Sequence, residues 1–217
     1  MVRLPTNRQR LALVGRTGSG KTLAALWHLS KRNLEKRPWV VYDYKADEHI
    51  NGIARAKHIT TDFVPKPKDT GVFIVHPLPK RDDAAVERQM WRLWERGGIG
   101  VYVDEGYMID NDAFNAILTQ GRSREIPAIV LSQRPVWMPR FVFSEADFYQ
   151  VFDLNDRRDQ QTVEAFAPVD FDKPLPPYHS FYFDVGKKQL VKFKPVPPEE
   201  VILGDIDLKL KPKRMML

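Results

Sequence analysis

Residues 15–22 read Gly-Arg-Thr-Gly-Ser-Gly-Lys-Thr and follow the apolar run Leu11-Ala12-Leu13-Val14. A strand, a glycine-rich turn and a Lys-Thr pair opening a helix is the order of a phosphate-binding loop. Gly15, Gly18 and Gly20 let the backbone turn tightly, so that successive N–H groups face inward toward phosphate oxygens. Arg16, Thr17 and Ser19 complete that loop. Lys21 is expected to neutralise the β and γ phosphates and the Thr22 hydroxyl to ligate Mg²⁺, while the start of the helix adds its own partial positive charge. ATP and Mg²⁺ are therefore the first ligands this chain calls for.

The 217 residues, 43% of them hydrophobic, suffice for one α/β domain with a buried core and are too apolar for a disordered chain. There are no cysteines, which excludes disulfides and thiolate metal sites, and the five histidines show no metal-ligand spacing, so no zinc site is expected. The longest apolar runs, such as Ala128-Ile129-Val130-Leu131, are strand-sized, and neither a signal peptide nor membrane insertion is expected. The net charge of +6 is unevenly spread. Residues 1–45 carry ten Lys/Arg against two acids, residues 186–217 eight against four, and the stretch between them sixteen against twenty-two. Two basic ends around an acidic middle suit a polyanion bound on one face, and equally suit solvated lysines around an ATP site.

Apolar runs rich in β-formers alternate with helical patterns, the signature of a parallel sheet covered on both faces. Strands are expected at 10–14, 39–43, 72–75, 99–103, 128–131 and 148–154. Helices are expected at 21–34, 82–96, 111–122 and 156–166, the second stopped by Gly97-Gly98. Past Pro168 the composition turns Pro-rich, and 179–184 with 189–194 reads as a hairpin around Gly186-Lys187. Residues 195–217 show no clear periodicity and read as an extended tail. The division is a core over 1–167 and a peripheral segment of the same domain over 168–217.

Val101-Tyr102-Val103-Asp104-Glu105 is a strand ending in two acids, about 80 residues after the phosphate loop. Asp104 would support the Mg²⁺ and Glu105 would activate the attacking water, the division of labour that phosphoryl transfer needs. Ser132-Gln133-Arg134-Pro135 ends the next strand, where Gln133 can reach both the γ-phosphate and the water. Arg122 and Arg124, in Gly121-Arg122-Ser123-Arg124, close the helix between those strands; either can act as an arginine finger on a neighbouring subunit, or both can answer the helix dipole. Arg134 and Arg140 bracket Trp137 on a Pro-stiffened loop, which reads as a phosphate-tracking DNA contact or as a packing loop with Trp137 in the core. Trp91 and Trp94 read as core. Lys209, Lys211, Lys213 and Arg214 form a basic tail, either solubilising or in contact with DNA or a capsid partner.

In order, Gly15–Thr22, Asp43-Tyr44-Lys45, Asp104-Glu105, Arg122 and Ser132-Gln133-Arg134-Pro135 resemble the motifs of the FtsK–HerA superfamily of DNA-pumping ATPases. Tyr44 stands where that family carries proline, and Ser132 where it carries threonine. The resemblance covers about residues 10–166 and lies nearest the genome-packaging ATPases of tailless, membrane-containing viruses. It implies a RecA-like, additional-strand P-loop NTPase, α/β, with a mostly parallel sheet between helices and a C-terminal β-hairpin. It further implies ATP hydrolysis with Mg²⁺, double-stranded DNA as the cargo, a homo-hexameric ring, capsid vertex or portal-like partners, and a place in the host cytoplasm or the virion. Two other readings stay open: an assembly or extrusion motor acting on single-stranded DNA or protein, and a slow nucleotide-binding switch. No Asn-Lys-x-Asp motif points to guanine, and no Leu-Ser-Gly-Gly-Gln signature to an ABC ATPase.

Overall fold

The structure, a computed structural model, describes residues 2–173 and 175–211. Its strands are β1 (Arg10–Val14), β2 (Pro38–Tyr42), β3 (Lys57–His58), β4 (Gly71–Val75), β5 (Gly100–Val103), β6 (Ala128–Ser132), β7 (Phe148–Val151), β8 (Ser180–Asp184) and β9 (Gln189–Phe193). Its helices are α1 (Lys21–Ser30), α2 (Glu48–Asn51), α3 (Asp83–Arg96), α4 (Asp112–Gln120), α5 (Arg140–Ser144), α6 (Arg157–Glu164) and α7 (Glu199–Lys209). All strands join one sheet in the order β3-β4-β2-β5-β6-β1-β7-β8-β9. Pairing is parallel from β3 through β7, and β8 and β9 close that edge as an antiparallel hairpin.

Successive strand residues point to opposite faces, and both faces of the central strands are covered, so those strands feed two cores. Leu11, Leu13, Trp39, Val41, Ile129 and Leu131 pack beneath α1 and α7, with Ala25, Leu29, Ile202 and Ile206 opposite them. Ala12, Val14, Val40, Val101 and Val130 face the other way, onto Met90 and Leu93 of α3 and Phe114 and Ile117 of α4. That two-sided burial is why these strands read as unbroken apolar runs. Local caps fix the helix starts: Asn111 accepts from the Phe114 amide at 2.9 Å ahead of α4, and Asp156 from the Arg158 amide at 2.8 Å ahead of α6.

The sheet, its parallel order and the hairpin match expectation, but several boundaries differ. The extended tail is wrong over Glu199–Lys209, which forms α7: Pro198 opens it, Glu199 and Glu200 sit in its first turn, and Ile202 and Ile206 bury one helical turn apart. Lys209 is accordingly no loose tail residue, since its ammonium donates to the carbonyls of Ser30 (2.5 Å) and Arg32 (2.9 Å). It thereby caps α1, which stops at Ser30 rather than continuing to residue 34. Lys211 is exposed, and Lys213 and Arg214 lie outside the described residues. The expected strand 148–154 ends at Val151, where Phe152 turns to pack against the phosphate loop. The two-residue β3 and the short α2 and α5 were not expected. Trp91 and Trp94 are partly buried against the core, edge to face with ring centroids 5.7 Å apart. Among the described residues no helix is long and apolar enough to cross a membrane.

Candidate functional site

The phosphate loop leaves the C-terminal end of β1 and is fastened on both sides. Gly15 N–H donates to the Ser132 carbonyl (3.2 Å), and Arg16 N–H to the Asp153 carbonyl (2.9 Å). Gly18 and Gly20 sit at φ +75° and +89°, a left-handed region that costs side-chain-bearing residues about 1–2 kcal/mol. Gly20 in that conformation caps α1, so Lys21 and Thr22 begin the helix at the floor of an open cleft. Residues 17–23 form one wall of that cleft, and Lys45, Asp104, Glu105 and Gln133 line it further, with Asp47, His49 and Tyr178 at its other sides.

Each remaining group arrives on its own element. Asp104 and Glu105 follow β5, which pairs with β6 in parallel. Glu105 has φ +57° without being glycine, and its side chain is 1% exposed. One of its oxygens pairs with Lys45, and the other, Oε2, is buried without a partner, as is the Ser19 hydroxyl. Gln133, past the end of β6, accepts from the Thr17 hydroxyl at 2.5 Å and so ties the end of β6 to the loop. Asp43 is fully buried at the end of β2 and accepts from the amides of Lys45 (3.2 Å) and Asp47 (3.0 Å), shaping the turn that delivers Lys45 to Glu105.

The charges are mutually perturbed. Burial, then the Glu105 charge, pushes the Asp104 carboxyl up to about 7. Burial lowers the Lys21 pKa, with Glu105 and Asp104 pulling the other way. Burial also disfavours the Lys45 ammonium, but the hydrogen bond and charge of Glu105 outweigh it and raise its pKa. The cleft thus holds a crowded acidic pair and a buried lysine, together with two buried oxygens that lack partners. A phosphate chain with a divalent cation fits those deficits: Lys21 gains an anion, and Asp104 gains a cation that favours its charged form.

Arg122 and Arg124 lie elsewhere. Arg122 pairs with Asp147, which precedes β7, and Asp147 N–H in turn donates to the Arg10 carbonyl at 3.0 Å. That is the N-terminal edge of the sheet, about 15 Å along β1 from the phosphate loop at some 3.3 Å per residue. Arg124 stacks on Trp94, 3.7 Å from the ring centroid, and donates to the Trp94 and Glu95 carbonyls that end α3. Neither reaches the cleft of its own chain. Arg134 packs over Trp137 at 4.3 Å and pairs with Asp156 and the buried Asp159. Trp137 is 59% exposed, so the core placement does not hold; its ring meets Tyr107 edge-on, and Arg140 beside it is exposed. Sequence reasoning missed Asp47, His49 and Tyr178 as cleft residues. The Pro-rich stretch before the hairpin was the only local signal for Tyr178.

β6 stands between β1 and β5, so the strand that ends at Gln133 separates the phosphate loop from the acidic pair. That inserted strand defines the additional-strand class of P-loop NTPases. The chain is 47% identical over 227 residues to the DNA packaging ATPase P9 of Enterobacteria phage PRD1, covering 99% of each. It belongs to that family. No protein-family model matches it. Among solved structures, the genome packaging NTPase B204 of Sulfolobus turreted icosahedral virus 2, in complex with AMPPCP, superposes with a TM-score of 0.68 at 18% identity, over 88% of this chain and 100% of that one. The pCW3 conjugation coupling protein TcpA follows the same fold, with a TM-score of 0.53 at 14% identity over 86% of this chain and 59% of TcpA.

Proposed function

We propose that this chain is an ATPase that drives double-stranded DNA into a viral capsid. The observation that carries the reading is the meeting of Lys21, Asp104, Glu105 and Gln133 in one cleft, in a chain that matches a DNA packaging ATPase from end to end. Lys21 and the loop amides hold the β and γ phosphates of ATP. Thr22 and Asp104 would hold Mg²⁺, which would supply charge screening at the phosphate oxygens. Glu105 takes a proton as the water oxygen bonds to the γ-phosphorus and the bridging bond to ADP breaks. Lys45 holds only one Glu105 oxygen, so the partnerless Oε2 is the one that takes that proton. Gln133, bonded to Thr17, orients the water and reports the loss of the γ-phosphate to the segment that follows it.

Arg122 serves the neighbouring subunit as an arginine finger in a homo-hexameric ring. Its exposed guanidinium, remote from its own cleft, supports a role across a boundary better than one within the chain. Arg124, stacked on Trp94, is instead a structural cap. Arg140 and Trp137 supply the DNA-facing surface, with Arg134 holding their loop against α6. The ring would act in the host cytoplasm during assembly, docked on a capsid vertex. The test is ATP-dependent protection of DNA from nuclease by empty capsids supplied with the purified chain. Glu105→Gln should bind nucleotide as before while turnover falls on the order of 10²- to 10⁴-fold, and protection should disappear with it. Protection that survives Glu105→Gln overturns the reading.

A further inference from the structure

A groove of 710 Å³ opens at the end of the sheet opposite the nucleotide cleft. Gly71 and Val72, which begin β4, and Lys57, which begins β3, line it together with Arg55 and the last turn of α7. The parallel strands run from this end toward the cleft, and α7 spans the same gap, about 16 Å at 1.5 Å per residue. Its first turn meets the cleft residue His49, whose Nδ1 lies 2.7 Å from Glu199 Oε1, and Leu208 and Leu210 at its other end enter the groove. Hydrolysis of ATP uses none of the groove residues.

We propose that this groove docks an acidic segment of a capsid protein, with carboxylates on Arg55, Lys57 and Lys211 and an apolar side chain against Leu208; the inference rests on the packaging reading above. All three cations are exposed, and among the described residues no carboxylate pairs with them. Glu35 is the one acid in the lining. Asp207 accepts from the backbone N–H of Arg55 at 2.9 Å, which fixes that loop against α7 without engaging the guanidinium. The Lys57 ammonium lies 5.3 Å from the centre of the neutral Phe73 ring. Between these charges the surface is apolar: Val72 is buried, Leu210 closes over Gly71, and Leu208 is 62% exposed. A DNA backbone would answer the cations and offer nothing to Leu208, whereas a polypeptide carries both chemistries in a few residues. The chain's own end is no complement, since Lys213 and Arg214 repeat the charge of the groove. Docking at this end leaves the cleft and the Trp137 loop, both at the opposite end of the strands, free to turn over ATP and meet DNA.

Co-sedimentation of the full chain with empty capsids, beside its ATP hydrolysis and its affinity for duplex DNA, tests the groove. The double variant Arg55→Glu/Lys57→Glu should bind capsids roughly 10- to 100-fold more weakly at low salt, because like charges then face each other across the contact. Its hydrolysis and duplex affinity should match wild type. Leu208→Ser, at a site too exposed to threaten folding, should weaken capsid binding roughly 3- to 30-fold through lost apolar contact and leave duplex affinity unchanged. Capsid binding at wild-type strength in either variant overturns the docking surface. Equal weakening of duplex and capsid binding by the charge reversal overturns it in favour of a DNA contact. A wild-type chain that hydrolyses ATP but binds no capsid overturns the capsid part of the packaging reading, and the groove's assignment with it.

Discussion

Asp104 is a buried carboxyl whose ionisation works against the folded chain, and Asp104→Asn isolates that effect. Burial, with the Glu105 charge next, pushes its pKa from 3.8 up to about 7, and the residue is 2% exposed. Between those two values the native chain keeps a proton that the unfolded chain has released. Native stability therefore falls as pH rises from about 4 to about 7, and levels off above that. At about 1.4 kcal/mol per pKa unit the whole span amounts to about 4 kcal/mol, and the part between pH 5 and 7 to about 2–3 kcal/mol. Asparagine has nearly the same shape and no proton to lose. Urea unfolding of both proteins in Mg²⁺-free buffer, from pH 5 to 8, reads the difference. The stability of Asp104→Asn relative to wild type should rise by about 2–3 kcal/mol across that range. ADP with Mg²⁺ should stabilise wild type more at pH 8 than at pH 6, because the charged carboxylate is the form that supports the metal. Parallel pH curves for the two proteins would refute the reasoning.

His28 makes the opposite contribution. It is buried and bonded to Gln150 at 2.8 Å, and burial, with the Arg32 charge next, lowers its pKa from 6.5 to about 3. The unfolded chain binds a proton that the folded chain refuses, so this stability is complete above pH 6.5 and is lost as pH falls toward 3. Relative to His28→Gln, wild type should lose about 2 kcal/mol between pH 6.5 and 5 by denaturant unfolding, and no difference in slope would count against a neutral buried ring. If subunits share sites in the proposed ring, mixtures of Lys21→Ala and Arg122→Ala subunits should recover part of the hydrolysis that each lacks alone. Absence of rescue at every mixing ratio would remove Arg122 from the neighbour's site.

What was legible in the sequence was whatever is encoded locally. The glycine loop, the strand that ends in Asp104-Glu105 and the strand that leads to Gln133 each carry their signal within a few residues, and a doubly covered sheet prints its strands as continuous apolar runs. α7 was hidden because Val201-Ile202-Leu203 and Gly204 blur the helical period, although Glu199 and Glu200 after Pro198 mark a helix start. The Lys45–Glu105 pair joins residues 60 apart and the Tyr178 strap crosses to a loop more than 150 positions earlier, so only the sheet order brings them together. The end of α1 at Ser30 likewise receives a hydrogen bond from Lys209, on the far end of the chain. The exposure of Trp137 follows from the short turn after β6, which directs the ring onto Tyr107 at the surface rather than inward.

Steady-state ATP hydrolysis by the purified chain, with and without long double-stranded DNA at low salt, tests the coupling of cleft to cargo most directly. A DNA-packaging ATPase should be stimulated several-fold by the duplex, the stimulation should fade as salt rises and counterion release loses its driving force, and Glu105→Gln should abolish it. Hydrolysis at the same rate with and without duplex, across the whole salt range, would contradict a motor driven through contact with DNA.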